Sequence, residues 1–207
     1  MAYNAIRFTS PKGEAEYPYL NDPDTKFNPD GDYKVNMIFE DDKATRDMIS
    51  KLDKVLDDFY ENDENVKCAR KTPVKNEIYE ELDDGRLLMK FKQKAIIRTK
   101  AGKEFEKKVR IFDAKGKPMD DVIGGGSILK VCFEASPYYI PSTRMVGLSL
   151  KPVAVQVIEL KTFGGADNPE SYGFGEEEGF VSEAESDSYG FDAPETIDEL
   201  VEDNPDF

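Results

Sequence analysis

The sequence predicts a mainly β fold, a small closed or nearly closed barrel with one inserted α-helix, followed by an acidic C-terminal tail. Three observations predict it. Apolar and polar residues alternate with a period of two in several stretches, whereas only one long stretch repeats at three and four residues. Gly164 to Phe207 holds 15 Asp plus Glu and no Lys or Arg, whereas Met1 to Phe163 holds 28 acidic and 28 basic residues. The chain therefore divides into a neutral body, residues 1–163, and a tail, residues 164–207. The tail is too charged and too Gly-rich to bury apolar surface against an ordering cost of roughly 1 to 2 kcal/mol per residue, and is expected to be disordered when free.

Within the body, Asp30-Gly31 reads as a turn and Gly31 to Phe39 as a strand, because Tyr33, Val35, Met37 and Phe39 alternate with polar neighbours. Asp41 or Asp42 caps a helix predicted from about Lys43 to Glu61, whose apolar stripe is Met48, Ile49, Leu52, Val55, Leu56, Phe59 and Tyr60. Asp83-Asp84-Gly85 is a hairpin-type turn. After it, Leu87 to Arg98 sets Leu87, Met89, Phe91 and Ala95 on a core face and Lys90, Lys92 and Lys94 on a basic one. The Ala101-Gly102 turn leads to a strand from Glu104 to Phe112, and the two strands suggest a hairpin. Ile128 to Ala135 is a further strand, and Met145 to Leu160 a long strand region broken near Pro152.

Composition excludes several classes. The body is large enough for one domain with a real core, and the tail is too small for a second. Cys68 and Cys132 stand alone, without the spacing of a disulfide framework or a thiolate metal site. The chain has no His, which removes the usual general base near neutral pH and the commonest zinc ligand. Neither metal, cofactor nor catalysis is expected. The first residues lack the apolar stretch of a signal peptide, and no run approaches the ~20 apolar residues of a membrane span. A soluble protein of a reducing cytoplasm, with no membrane partner, is the expectation.

Arg86 to Lys117 holds 12 basic and 3 acidic residues. Alternation on two adjacent strands collects part of these on one sheet face. Cations along a groove for phosphates, with flat rings for bases, are what a single nucleic-acid strand requires. Lys90, Lys92, Lys94, Lys108 and Arg110 are the leading phosphate contacts, with Lys34, Arg98, Lys130 and Arg144 added; a solvated strand face is the competing reading. Ser136-Pro137-Tyr138-Tyr139-Ile140-Pro141 reads as a Pro-bounded loop presenting Tyr138 and Tyr139 to bases, with Phe112 a third ring. Tyr17-Pro18-Tyr19-Leu20 is similar in composition, but the better reading is a staple of the chain terminus onto the barrel. Gly124-Gly125-Gly126-Ser127 lacks the Lys-Ser/Thr of a phosphate loop and reads as a tight approach to the next strand. The pairs Asp83-Asp84 and Asp120-Asp121 read as turn chemistry, not as a two-metal nuclease.

Body and tail together resemble the single-stranded-DNA-binding proteins of tailed bacteriophages. The resemblance is carried by Phe8-Thr9-Ser10, Tyr17-Pro18-Tyr19-Leu20 with Pro23-Asp24, Gly31-Asp32-Tyr33-Lys34-Val35, and Gly124-Gly125-Gly126-Ser127 through Leu129-Lys130-Val131. It continues through Pro137-Tyr138 and Val157-Ile158-Glu159-Leu160-Lys161-Thr162-Phe163-Gly164-Gly165 to the acidic end closing on Asp206-Phe207. It implies an OB-fold, a five-stranded Greek-key barrel with a helix, that binds single strands without strong sequence preference. It also implies a role in replication, recombination and repair in the cytoplasm of an infected bacterial host. The tail, through Asp203, Asp206 and Phe207, is then the contact for a phage DNA polymerase, helicase or primase. By position Tyr138 matches a base-stacking ring. Where short-tailed coliphage members carry a second large ring nearby, this chain has Ile140; either Tyr139 substitutes or fewer bases stack.

An acidic tail behaves electrostatically like a short nucleic acid, so it is expected to occupy the DNA groove until DNA displaces it. The rival reading is an acidic DNA mimic that inhibits a host DNA-binding enzyme, which would have no use for a basic stripe. An exposed strand edge or the tail itself offers a way to join two copies as a homodimer.

Overall fold

Alternation fixes which side of each strand is buried, and the computed structural model, which describes residues 5–99 and 102–162, bends those strands into a barrel. The elements are β1 (Ile6–Thr9), β2 (Gly13–Asp24), β3 (Asp32–Phe39), α1 (Lys43–Asn62), α2 (Glu64–Lys67), β4 (Val74–Lys75), β5 (Glu80–Glu81) and β6 (Leu87–Lys94). They continue with β7 (Ile96–Arg98), β8 (Glu104–Glu106), β9 (Arg110–Phe112), β10 (Ile128–Ile140) and β11 (Met145–Glu159). The main sheet runs β4-β11-β10-β2-β3-β6-β5, with β1 added to β10 and β9 to β11. β2, β3 and β6 form an antiparallel meander, and β10 returns to lie beside β2, which is a Greek key. Five long strands, β2, β3, β6, β10 and β11, make the wall of an OB-type barrel.

Closure is made by a short strap. β4 pairs in parallel with Met145 and Val146 of β11, while β5 pairs with Leu87 and Leu88 of β6. The intervening Asn76 to Tyr79 thus joins the two sheet edges, and an exposed edge, a liability for aggregation, is covered.

Inward residues of the wall, including Val35, Met37, Phe91, Leu129, Val131 and Phe133, are at most 1% exposed. Phe133 meets Phe91 edge-on at 4.9 Å and stacks on Phe8 at 5.7 Å between centroids. α1 lays Met48, Ile49 and Leu52 on this core, and its last turns, Leu56 and Phe59, form a second cluster with Val66 and Val146. The helix starts where Asp42 accepts the Thr45 N–H at 2.8 Å. It ends at Asp63, whose extended backbone stops the ladder and whose carboxylate caps α2 through Asn65 and Val66. The predicted helix is one residue short.

Several expectations are corrected. Residues 6–24 drew no strand from the sequence, yet they hold β1 and β2, because Pro18, Pro23 and a bulge disguise the alternation of β2. Leu87 to Arg98 and Glu104 to Phe112 are not one hairpin. Only β7 and β8 pair as one, as a separate ribbon, while β9 leaves to pair with Ala154 to Gln156. Met145 to Glu159 is not broken at Pro152. A register shift between Cys132 and Phe133 gives β11 an extra residue, Val153, and the Pro is accommodated at this bulge.

The Gly-rich turn, read as a tight approach to the next strand, approaches β2 and Lys161 closely. Gly126, at φ +83°, donates its N–H to Ala15 O at 2.7 Å, and buried Ser127 Oγ accepts the Lys161 N–H at 2.9 Å. Asp84 likewise serves its turn by accepting the Arg86 N–H at 3.0 Å. Residues 164–207, with the predicted disorder of the tail, lie outside the described residues. Among the described residues no helix is long and apolar enough to cross a membrane.

Candidate nucleic-acid interface

The antiparallel register of β3 with β6 sets Lys34 opposite Lys92, Asn36 opposite Lys90 and Asp32 opposite Lys94. Since Val35, Phe91 and Met89 point inward, these polar residues share the outer wall. Lys90, Lys92 and Lys94 are exposed and Lys34 half-buried. On the next strand Tyr19 pairs with Lys34, whose Nζ lies 4.9 Å from the ring centroid. One wall therefore carries four lysines and an aromatic ring.

Carboxylates hold three of these cations in place. Lys34 is bound to Asp24, Lys92 to Asp32 at 2.9 Å and Lys90 to Glu80 at 3.3 Å. Asp32 is buried, and its second oxygen, Oδ1, has no hydrogen-bond partner among the described residues. A phosphate arriving here exchanges with a carboxylate instead of meeting a bare ammonium, which moderates the gain from each contact.

The remaining predicted cations lie elsewhere. Arg98, on β7, is held by Asp30 and by Glu104 at 2.6 Å, and Lys108 lies 3.5 Å from Glu106. Lys108, Arg110 and Phe112 line a groove of about 1290 Å³ whose rim also carries Asp22, Asp30, Glu104, Glu106 and Asp120. That rim is more acidic than basic, which disfavours a polyanion. Lys130, with Phe112, borders a smaller hollow of about 290 Å³ beside Cys132 and Gln156. Arg110 pairs with Ala154 and Tyr138 with Gly147, on the same strand seven residues apart. At about 3.3 Å per residue the two are roughly 23 Å apart along β11.

Tyr138 and Tyr139 are not in a loop but inside β10, which runs on to Ile140. Two successive strand residues face opposite ways, so they cannot present rings side by side. Tyr138 lies over Gly147, where an added Cβ would come within 2.6 Å of its hydroxyl, and Asn76 of the strap donates to that hydroxyl at 3.3 Å. Lys151 donates to Ser136 at 3.3 Å, two residues before Tyr138 on the same side of the strand, and adds a cation that sequence reasoning missed. Tyr139 packs instead beside Val146 in the second cluster. It also borders a recess of about 470 Å³ with Arg144, Arg70 and Lys71. The Arg70-Lys71 pair was missed because it follows the helix in sequence and reaches Arg144 only through folding.

Tyr17 and Tyr19 depart most from expectation. They are 72% and 42% exposed, and only Leu20, at 1%, is driven into the core. The terminus is instead fastened by Ser10, whose N–H donates to Val131 O and whose Oγ accepts the Val131 N–H, both at 2.9 Å. Asp203, Asp206 and Phe207 lie outside the described residues.

Several carboxyls are shifted by their partners. Lys34 holds the Asp24 carboxyl below the usual carboxylate range, and Arg98 does the same for Asp30. The capped backbone and Thr45 hydroxyl lower Asp42, and Arg46 lowers Asp41. A carboxyl lowered in the folded state stabilises above its unfolded value and loses that contribution as pH falls through the folded one. Asp53, raised by burial and by Asp57, works in the opposite direction. With no His to titrate, melting temperature is expected to stay flat from about pH 6 to 9 and to fall below about pH 4. A thermal denaturation series across this range checks it, and a step near pH 6.5 would contradict it.

Comparison with known proteins agrees with this architecture. The sequence profile of the family described as "Single-stranded DNA-binding protein, Bacteriophage T7" matches residues 12–160. A single-stranded DNA-binding protein of Enterobacteria phage T3 is 31% identical over 185 residues, 79% of this chain and 80% of that one. The crystal structure of the single-stranded DNA-binding protein encoded by bacteriophage T7 superposes with a TM-score of 0.68 at 31% identity, covering 86% of this chain and 100% of that one. A single-stranded DNA-binding protein from bacteriophage Enc34 shares the fold at 10% identity, with a TM-score of 0.50 over 80% of this chain and 89% of that one.

Proposed function

This chain belongs to the bacteriophage T7 single-stranded-DNA-binding protein family, and from that membership we propose that it coats single-stranded DNA during phage replication, recombination and repair. Binding follows the outer wall of β3 and β6, with Lys34, Lys90, Lys92 and Lys94 at phosphates. Tyr138 is a stacking position near the β10–β11 hairpin. Sequence preference is weak, because phosphates and π-faces are common to every nucleotide. No bond is made or broken in this activity. The observation that carries the reading is the convergence of the four lysines on one face of an OB-type wall, produced by the β3–β6 register.

The acidic tail is the regulator and the recruiting arm in this reading. Its 15 carboxylates compete with phosphates for the same lysines. DNA displaces them and frees the terminal Asp206-Phe207 for a replication enzyme such as polymerase, helicase or primase in the host cytoplasm. Competition between polyanions weakens with salt. Truncation after Phe163 is therefore expected to tighten single-strand binding, most of all at low salt. Titrating full-length and truncated protein with single- and double-stranded oligonucleotides at two salt concentrations tests this. Unchanged affinity at low salt would refute the competition. Loss of all DNA affinity on truncation would favour the DNA-mimic reading instead.

A further inference from the structure

The bulge in β2 reverses the side on which its aromatic residues emerge. Glu16 pairs with Asn36 and Tyr19 with Lys34, so three steps along β2 match two along β3. Ala15 points inward at 0% exposed, and unbroken alternation would send Tyr17 and Tyr19 in after it. One additional residue shifts the phase, so that Tyr19 comes out and Leu20 goes in. Tyr17 sits at the bulge with φ +48°, in the left-handed region that non-Gly residues avoid.

Neither the strained backbone nor the 72% exposure of Tyr17 serves the core, which needs only Leu20 from this segment. Both serve a flat ligand. Lys34 holds the Tyr19 ring by a cation–π contact and faces Lys92 across the ladder, so this ring adjoins the lysine row, with Tyr17 two residues away at the bulge. Glu16 and Asp24 on the same segment add negative charge, so attraction here needs an uncharged component as well as phosphate. We propose that Tyr17 and Tyr19 are base-stacking positions for single-stranded DNA on the β2–β3–β6 wall, displayed there by the bulge. This rests on the single-strand-binding reading above and supplies its wall with the rings that Tyr139 and Phe112 do not.

The test uses the full-length protein and an oligothymidylate at two salt concentrations. Tyr17→Asn removes the ring while tolerating the left-handed backbone, and Tyr19→Ala removes the other; Tyr17→Phe and Tyr19→Phe keep them. A base stack is worth roughly 1 to 3 kcal/mol, or about 5- to 150-fold in affinity. Tyr17→Asn and Tyr19→Ala are each expected to weaken binding within that range with unchanged salt slope, the Phe variants to restore it, and Tyr17→Asn to melt no lower than the unmutated protein. Photocrosslinking of the unmutated protein to a 5-iodouracil strand should label Tyr17 or Tyr19. Affinities within twofold of the unmutated protein, or crosslinks confined to other residues, would overturn the inference and leave the single-strand reading intact. Failure of the unmutated protein to bind any single strand would overturn both.

Discussion

Replacing Lys90, Lys92 and Lys94 together by Thr is expected to lower affinity for single-stranded DNA by up to about a hundredfold at 0.1 M salt and hardly at all near 1 M. The magnitude follows from counterion release. Each phosphate neutralised on a single strand contributes about −0.7 to the slope of log K against log salt, so one contact is worth about fivefold at 0.1 M relative to 1 M. Three contacts multiply to about two orders of magnitude, and the slope becomes shallower by about 2. Glu80 and Asp32 already partner two of these lysines, which makes a hundredfold the upper end. Thr is chosen because it suits an exposed strand position. Removing Lys92 also leaves the buried Asp32 without its only ion-pair partner among the described residues. A loss of roughly 1 to 3 kcal/mol of stability is expected with it. Titrations at several salt concentrations, well below the melting temperature, make the measurement. A triple variant with the parent slope would show that phosphates bind elsewhere.

Phe133→Ala is expected to destabilise the body by about 3 to 5 kcal/mol, the range for removing a buried aromatic ring. Phe133 is 0% exposed and lies between Phe91 and Phe8, in contact with both rings. Phe133 is on β10 and its ring neighbours are on β1 and β6, three strands whose positions are set by the ladder, so collapse into the cavity is resisted. Against a typical total stability of roughly 5 to 15 kcal/mol, the loss is a large fraction. Urea titration should show a lower midpoint with an unchanged m-value. A loss under about 1 kcal/mol would mean that the barrel relaxes around the missing ring. Single-strand affinity measured below the transition should hold, because Phe133 faces away from the lysine wall.

Period-two and period-3.6 patterns are local, and they located β3, β6, β11, α1 and the start of β10 to within a few residues, while β10 runs on past the predicted Ala135 to Ile140. The basic face of β6 was legible for the same reason, since Lys90, Lys92 and Lys94 alternate with Met89, Phe91 and Gln93 on consecutive pleats. The opposing Lys34 was legible as a cation but not as the neighbour of Lys92, which depends on antiparallel register across 57 intervening positions. Arg98, Lys108 and Arg110 were grouped with the stripe by proximity in sequence. They leave it because the chain bends at Ala95 into a ribbon and β9 crosses to β11. Tyr138 and Tyr139 were read together as the rings of a Pro-bounded loop, and the family resemblance then marked Tyr138; a strand in place of a loop separates the two.

Residue order alone was enough to establish a β-rich body with one helix, its neutral charge against an acidic end, and the cationic side of one strand. These depend on side-chain periodicity and on counting, both of which are properties of short segments. Where the sheet edges meet, which lysines share a wall, and the outward turn of Tyr17 and Tyr19 came from pairing between distant segments. The physical reason is the pleat: one extra residue at a bulge exchanges the inner and outer faces of everything after it, and only the partner strand reveals that the residue is extra.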